Sequence, residues 1–252
     1  MRSGAVYAIG VFLLAGPAVA APVSFSGAAW QANGSASIIG PNALQLTNDY
    51  DQAGSAFATT RISTAQSFTL GYNYTLSGIY THDPRAPQAD GVGFVLQSSL
   101  AGPAALGAIG GQLGYGGIGP SVAVLMRSWF NDRLQISSGG DILSGPSTAY
   151  SLGFHTMDAG TVNVTYDALA HLLTATATPA GGVPATLSET VDLSAELGPL
   201  AWFGFTGATQ VGASTQVIGD LSIATSIPEP AGLAVFAAGL LAMAGLRAPR
   251  RR

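Results

Sequence analysis

Val, Thr, Tyr, Phe and Leu alternate with polar residues in short runs along the chain, at 67–76, 91–97, 121–129, 161–166, 172–178 and 201–205. A period of two sends every second side chain to one face, so each run predicts a strand. The Gly, Pro, Ser and Asp clusters between them predict turns. From Val162 the alternation runs to Tyr166, breaks over 167–171 and resumes from Leu172 to Thr178, which predicts a hairpin. No helix of ordinary length is expected between residues 21 and 227. There is no repeat of fixed length either, which argues against propellers and solenoids. The longest irregular stretch, 97–119, is rich in Gly and Ala, and a long loop on a compact scaffold is where function is expected.

The alternation stops at both ends. Residues 1–20 carry Arg2, an apolar stretch to Leu14 and then Ala18-Val19-Ala20, the small-x-small pattern of a secretory cleavage site. A signal peptide is expected, with the mature chain starting near Ala21. A membrane-spanning helix is the weaker reading, because the apolar core is short and Gly16-Pro17 breaks it. At the other end Pro228-Glu229-Pro230 precedes a mostly apolar segment, 231–246, followed by Arg247, Arg250, Arg251 and Arg252. As a helix this segment spans about 24 Å, short of a ~30 Å hydrocarbon core, and its terminal arginines favour the cytoplasmic side.

That order resembles the PEP-CTERM sorting signal of exopolysaccharide-producing Gram-negative bacteria. The resemblance implies export across the inner membrane and transient anchoring through a transmembrane helix in 228–252. A sorting protease would then release the protein to the cell surface or extracellular matrix. A permanent tail anchor is the alternative. Three regions result: a signal peptide over 1–20, one domain over 21–227 and a sorting and anchor segment over 228–252.

Composition narrows the class of the middle region. The chain has no Cys and no Lys, and only 9% of its residues are charged, which excludes disulfide scaffolds, thiolate metal sites and a basic footprint for nucleic acid. The 34 glycines and three glutamates fit an all-β domain with many tight turns. Residues 21–227 hold four arginines against twelve acids, a net charge of −8. This length suffices for one sandwich with a sizeable core.

Four separated segments, in order, resemble the legume-type (L-type) lectin domain. Asn42-Ala43-Leu44-Gln45-Leu46-Thr47 with Gly54-Ser55-Ala56-Phe57 is similar to its opening strands, and Ala89-Asp90-Gly91-Val92-Gly93-Phe94 to its signature Ala-Asp-Gly strand. Gly110-Gly111-Gln112-Leu113-Gly114, followed by Ser121-Val122-Ala123-Val124, forms the third. Val191-Asp192-Leu193 leading into Trp202-Phe203-Gly204-Phe205-Thr206-Gly207-Ala208-Thr209 resembles a helical turn and the closing loop. The implied fold is an all-β, concanavalin-like (legume lectin) sandwich of jelly-roll type, flanked here by an N-terminal signal helix and a C-terminal apolar helix.

By the same resemblance Asp90 accepts hydrogen bonds from two sugar hydroxyls and Gly111 donates its backbone N–H. Asn131 donates from its amide, Trp129 stacks on the ring, and the loop 206–214 sets specificity. Each residue also has a plainer reading. Asp90-Gly91 is a common turn dipeptide, Trp129 can be core packing, and Gly111 is one glycine among many.

The pattern breaks at the metal ligands. Where the family usually holds calcium and a transition metal with a Glu-x-Asp pair, this chain has Leu125 and Arg127. Calcium needs six to eight oxygens, and Asn131 and Asp132, with Asp141 in reserve, supply too few. No cofactor is expected and calcium is disfavoured. The family's peptide before the signature Asp is cis and steadied by a metal-bound water, so Ala89-Asp90 should revert to trans unless Arg127 pairs with Asp90 or its loop in place of the metal. Otherwise Arg127 is a surface residue and the sugar site has decayed.

The leading expectation is an exported, non-enzymatic carbohydrate-binding protein of the cell surface or exopolysaccharide matrix, weak or metal-independent. Its partners are glycans, with the membrane and sorting protease engaged transiently and homodimerisation left open. The alternative is a structural matrix protein with a decayed site. A glycoside hydrolase is remote, because Glu189 and Glu196 do not belong to a strand triplet of facing carboxylates. His82, His155 and His171 are too scattered for a metal set.

Overall fold

A computed structural model describes residues 20–79, 89–128, 133–149 and 157–225. The proposed signal peptide through residue 19 and the segment 228–252 lie outside the described residues, as do Trp129, Asn131, Asp132, His82 and His155. The described chain is two antiparallel sheets built from β1 (Ala21–Pro22), β2 (Trp30–Gly34), β3 (Ser37–Gly40), β4 (Ala43–Thr47), β5 (Ala53–Ser63), β6 (Phe68–Ile79), β7 (Gly91–Gln97), β8 (Ser121–Arg127), β9 (Arg133–Ser138), β10 (Ser147–Ala149), β11 (Met157–Asp167), β12 (Leu172–Pro179), β13 (Ala185–Thr190), β14 (Leu200–Ala208) and β15 (Ala213–Thr225). A short α-helix, α1 (Leu193–Leu197), precedes β14. One sheet runs β13-β12-β11-β6-β15-β4-β3 with β1 on β15, and the other runs β10-β9-β8-β7-β14-β5-β2.

The predicted hairpin is present. Val162 pairs with Ala177 and Asp167 with Leu172. The Asp167 carboxylate closes the turn by accepting from the N–H groups of Leu169 and Ala170 at 2.9 and 3.1 Å. Its inward residues Val162, Val164, Tyr166, Leu173, Ala175 and Ala177 are all buried, as the period of two requires. The expected helical turn is α1: the Asp192 carboxylate accepts from the N–H groups of Ser194 and Ala195, an N-cap that satisfies otherwise orphaned donors. Leu193 and Leu197 then enter the core.

Phe205 on β14 is the hub of that core. Its ring lies 4.9 Å from Tyr72, 5.9 Å from Phe94 and 6.3 Å from Trp30, within the range of favourable aromatic contact. A second apolar cluster forms on the other face of the β10–β2 sheet. There Leu113, Tyr115 and Ile118 from the 97–119 stretch pack with Phe57, Val95, Ala123 and Leu125. The irregular stretch is therefore fastened to the sheet: Ser55 Oγ donates to Ala105 O at 2.6 Å and Asn33 Nδ2 to Pro103 O at 2.9 Å.

Candidate functional site

Asp90 sits at the entry to β7, and its backbone is fixed on every side. The Asp90 N–H donates to Ala208 O at 2.8 Å and the Ser128 N–H donates to Asp90 O at 3.0 Å. Gly91 follows at φ 137° beside β8, and a Cβ there would stand 2.1 Å from Met126 O, so only glycine fits. The Ala89-Asp90 peptide is cis. Its Ala89 carbonyl accepts from Ser214 Oγ at 2.8 Å and Gln216 Nε2 at 3.1 Å, and both residues are fully buried on β15.

The Asp90 side chain is 4% exposed, and its Oδ2 has no hydrogen-bond partner among the described residues. Burial raises its pKa from the usual 3.8 to about 7, because the charged form loses hydration that no neighbour replaces. The hydroxyl of Ser128, next in space, is likewise buried without a partner. Nothing in the sequence pattern marks Ser128; its signal is the orphaned oxygen beside Asp90.

The glycine loop meets Asp90 through β14 and the turn after it. While Asp90 uses Ala208 O, the Gly110 N–H donates to the next carbonyl, Thr209 O, at 3.2 Å. Gly110 has φ 66°, and a Cβ on it would lie 2.3 Å from Gln210 Oε1. Gly111 differs: a Cβ built on it meets nothing within 4 Å. The protein leaves space there that its own packing does not need. Thr209 is held from the other side, its Oγ1 donating to Asp49 O at 2.6 Å and accepting from the Gln52 N–H at 3.1 Å. Residues 48–52, 89–90, 110–111 and 208–210 thus gather at one end of the sandwich, with half-exposed Ile109 and exposed Val211 among them. The expected ring-stacking Trp129 and the amide donor Asn131 follow Ser128 directly in the chain, outside the described residues.

The positions of the expected metal ligands do not suit a cation. Leu125 is fully buried in the second apolar cluster, and Arg127 brings a positive charge and no oxygen. The residual candidates Asn131 and Asp132 lie outside the described residues. Among the described residues no three His, Asp or Glu gather as metal ligands. The expectation that Arg127 pairs with Asp90 is corrected. Arg127 Nη1 donates to Gln135 Oε1 at 3.3 Å, and the cis peptide is held by Ser214 and Gln216. Those donors lie more than 120 residues further along the chain, beyond the reach of a local motif.

Glu189 and Glu196 come together with Asp192 in a separate cleft of about 210 Å³ between β9, β13 and α1. Asp192 is committed there as the cap of α1. This cleft is lined by Val122 on β8, whose register partner Leu96 lies at the opposite end of β7 from Asp90.

No protein-family model matches the chain. Solved structures do. A lectin from Bauhinia forficata in complex with GalNAc is 23% identical over 84% of this chain and 100% of its own, with a TM-score of 0.71. The basic winged bean lectin with Tn-antigen is 19% identical over 84% of this chain and 100% of its own, with a TM-score of 0.71. Arcelin-5, a lectin-like defense protein from Phaseolus vulgaris, is 18% identical over 83% of this chain and 98% of its own, again at 0.71. Two antiparallel sheets, a second apolar cluster beneath the glycine-rich loop, and this agreement over whole chains give the described domain the legume-lectin fold.

Proposed function

We propose that residues 21–227 are an exported, non-enzymatic carbohydrate-binding domain of the cell surface or exopolysaccharide matrix, working without a bound metal. The observation that carries the reading is the Asp90 carboxylate: a buried acceptor oxygen with no donor among the described residues, rigidly backed, beside an open position at Gly111. A sugar hydroxyl is a donor of the right kind, and satisfying a buried carboxylate is worth more than a hydrogen bond in water. The Gly111 N–H would donate to a ring hydroxyl, Asn131 would add an amide and Trp129 a stacking face, with the 208–213 turn closing one side. GalNAc and the Tn-antigen held by two lectins of the same fold support glycans as the partner class.

Export rests on the signal-like 1–20, and transient anchoring and release on 228–252. The departure at Leu125 and Arg127 favours one second reading, a matrix protein that keeps the sandwich without binding sugar. A glycan array probed with the full chain in mild detergent, with calcium and again with chelator, separates the two. Binding that survives chelation and is lost in Asp90→Ala supports the lectin; no binding in either condition supports the structural protein.

A further inference from the structure

Arg127 and Arg133 stand directly opposite each other in the register of β8 and β9. Their strand neighbours Met126 and Leu134 fill the main core, so both arginines occupy the other face of the sheet. Like charges placed directly opposite destabilise a sheet, and a fold tolerates that arrangement without benefit only at a loss. Among the described residues no carboxylate relieves it. Arg127 donates to Gln135 Oε1 and Arg133 Nη1 to Ser147 Oγ at 3.2 Å, while among the described residues the only ion pair joins His171 and Asp192. Burial, and then the Arg133 charge, lower the pKa of Arg127 from its ordinary value.

The placement is specific in a domain with four arginines and twelve acids, since two of the four cations share one spot. Arg127 is also the register partner of Gly91, the residue after Asp90. The guanidinium-bearing strands therefore lie one and two strand spacings, about 5 and 10 Å, from the start of β7. That distance is the scale of neighbouring groups on one short oligosaccharide.

We propose that the Arg127–Arg133 pair is a subsite for an anionic substituent, carboxylate or sulfate, on the glycan whose hydroxyls engage Asp90; this rests on the sugar-binding reading of that site. The planar guanidinium fork matches either group, and among the described residues neither arginine has the counterion that such a substituent would provide. A domain of net charge −8 otherwise repels acidic polymers, so a local cationic pair is what lets one approach.

The test measures binding of the full chain in mild detergent to three probes: trigalacturonic acid, its methyl ester and a sulfated neutral trisaccharide. Each is run at low and high salt. At least one anionic probe should bind about tenfold or more tighter than the ester and weaken in salt. The arm that does so tells carboxylate from sulfate. Arg127→Gln and Arg133→Gln should each lower that affinity about tenfold, toward the ester's level. Their melting temperatures should equal or exceed that of the parent, because each removes a repulsion. The acid-against-ester comparison uses the parent protein, so it stands even if a variant fails to fold. Equal binding of ester and both anions overturns the proposal and leaves the sugar site standing. No binding of any probe overturns the proposal, and the glycan array then decides the sugar site separately.

Discussion

Gln216 lies 3.1 Å from Ala89 through its Nε2, and the same nitrogen donates to Ala208 O at 2.9 Å. One buried amide therefore clamps the carbonyl before Asp90 to the carbonyl that receives the Asp90 N–H. Replacing it with Leu strips a donor from two buried carbonyls. Gln216→Leu should lose about 2 kcal/mol of stability in urea titration and bind glycan more weakly, although it touches no sugar.

The two adjacent glycines should respond differently to a single methyl group. Gly110→Ala puts a Cβ on a backbone at φ 66° and against Gln210, and should cost roughly 1–2 kcal/mol or more. Gly111→Ala meets open space, so its unfolding midpoint should match the parent. If the space is for a sugar, Gly111→Ala should still lose glycan binding about tenfold or more. Paired urea melts and binding isotherms check both halves.

Asp90 sets a pH dependence whose sign follows from its environment. Its pKa is about 7 in the folded protein against 3.8 ordinarily, so between those values the native state holds a proton that the unfolded chain has released. Stability should therefore fall as pH rises from about 4 through 7, with the full loss present above 7. Asp90→Asn should flatten this slope. Sugar hydroxyls that donate to the carboxylate compete with the same proton, so affinity should rise across the upper part of that window. Urea midpoints and binding constants over a pH series measure both.

The proposed processing would leave a mass signature. Protein recovered outside the cell should begin at Ala21 and lack the apolar segment after Pro228-Glu229-Pro230, which intact mass spectrometry reads directly. A released species that retains the C-terminal arginines would contradict the sorting reading.

The parts legible in the sequence were those decided by neighbours in the chain. The β11–β12 hairpin follows from alternation over Val162–Ala177, closed by the Asp167 carboxylate, while the helical turn at α1 stands out by resemblance and is capped in the structure by Asp192. β15 is harder, because Gly219-Asp220 reads as a turn. In the structure these residues form an irregularity within one long strand, Asp220 at φ 47° and the register shifting before Ser222. Asp90 and Gly111 stand out by resemblance, whereas Ser214 and Gln216 do not, since their partner Ala89 is 125 and 127 residues away. The partner of Arg127 is hidden for a related reason. Its hydrogen bond goes across the strand pair to Gln135, and among the described residues no cation pairs with the Asp90 carboxylate.

β15 also decides which way the molecule faces. Ala213 starts it beside the Asp90 cluster, and Thr225 ends it about 40 Å away at 3.3 Å per residue. At that far end Ala21 pairs with Ile223, so both ends of the domain leave from the same pole. A protein tethered by its C-terminal segment would stand upright on the bilayer, with its open loops lifted clear of the lipid headgroups like the rim of a cup. Cutting the tether would then change where the cup travels and leave its shape as it was.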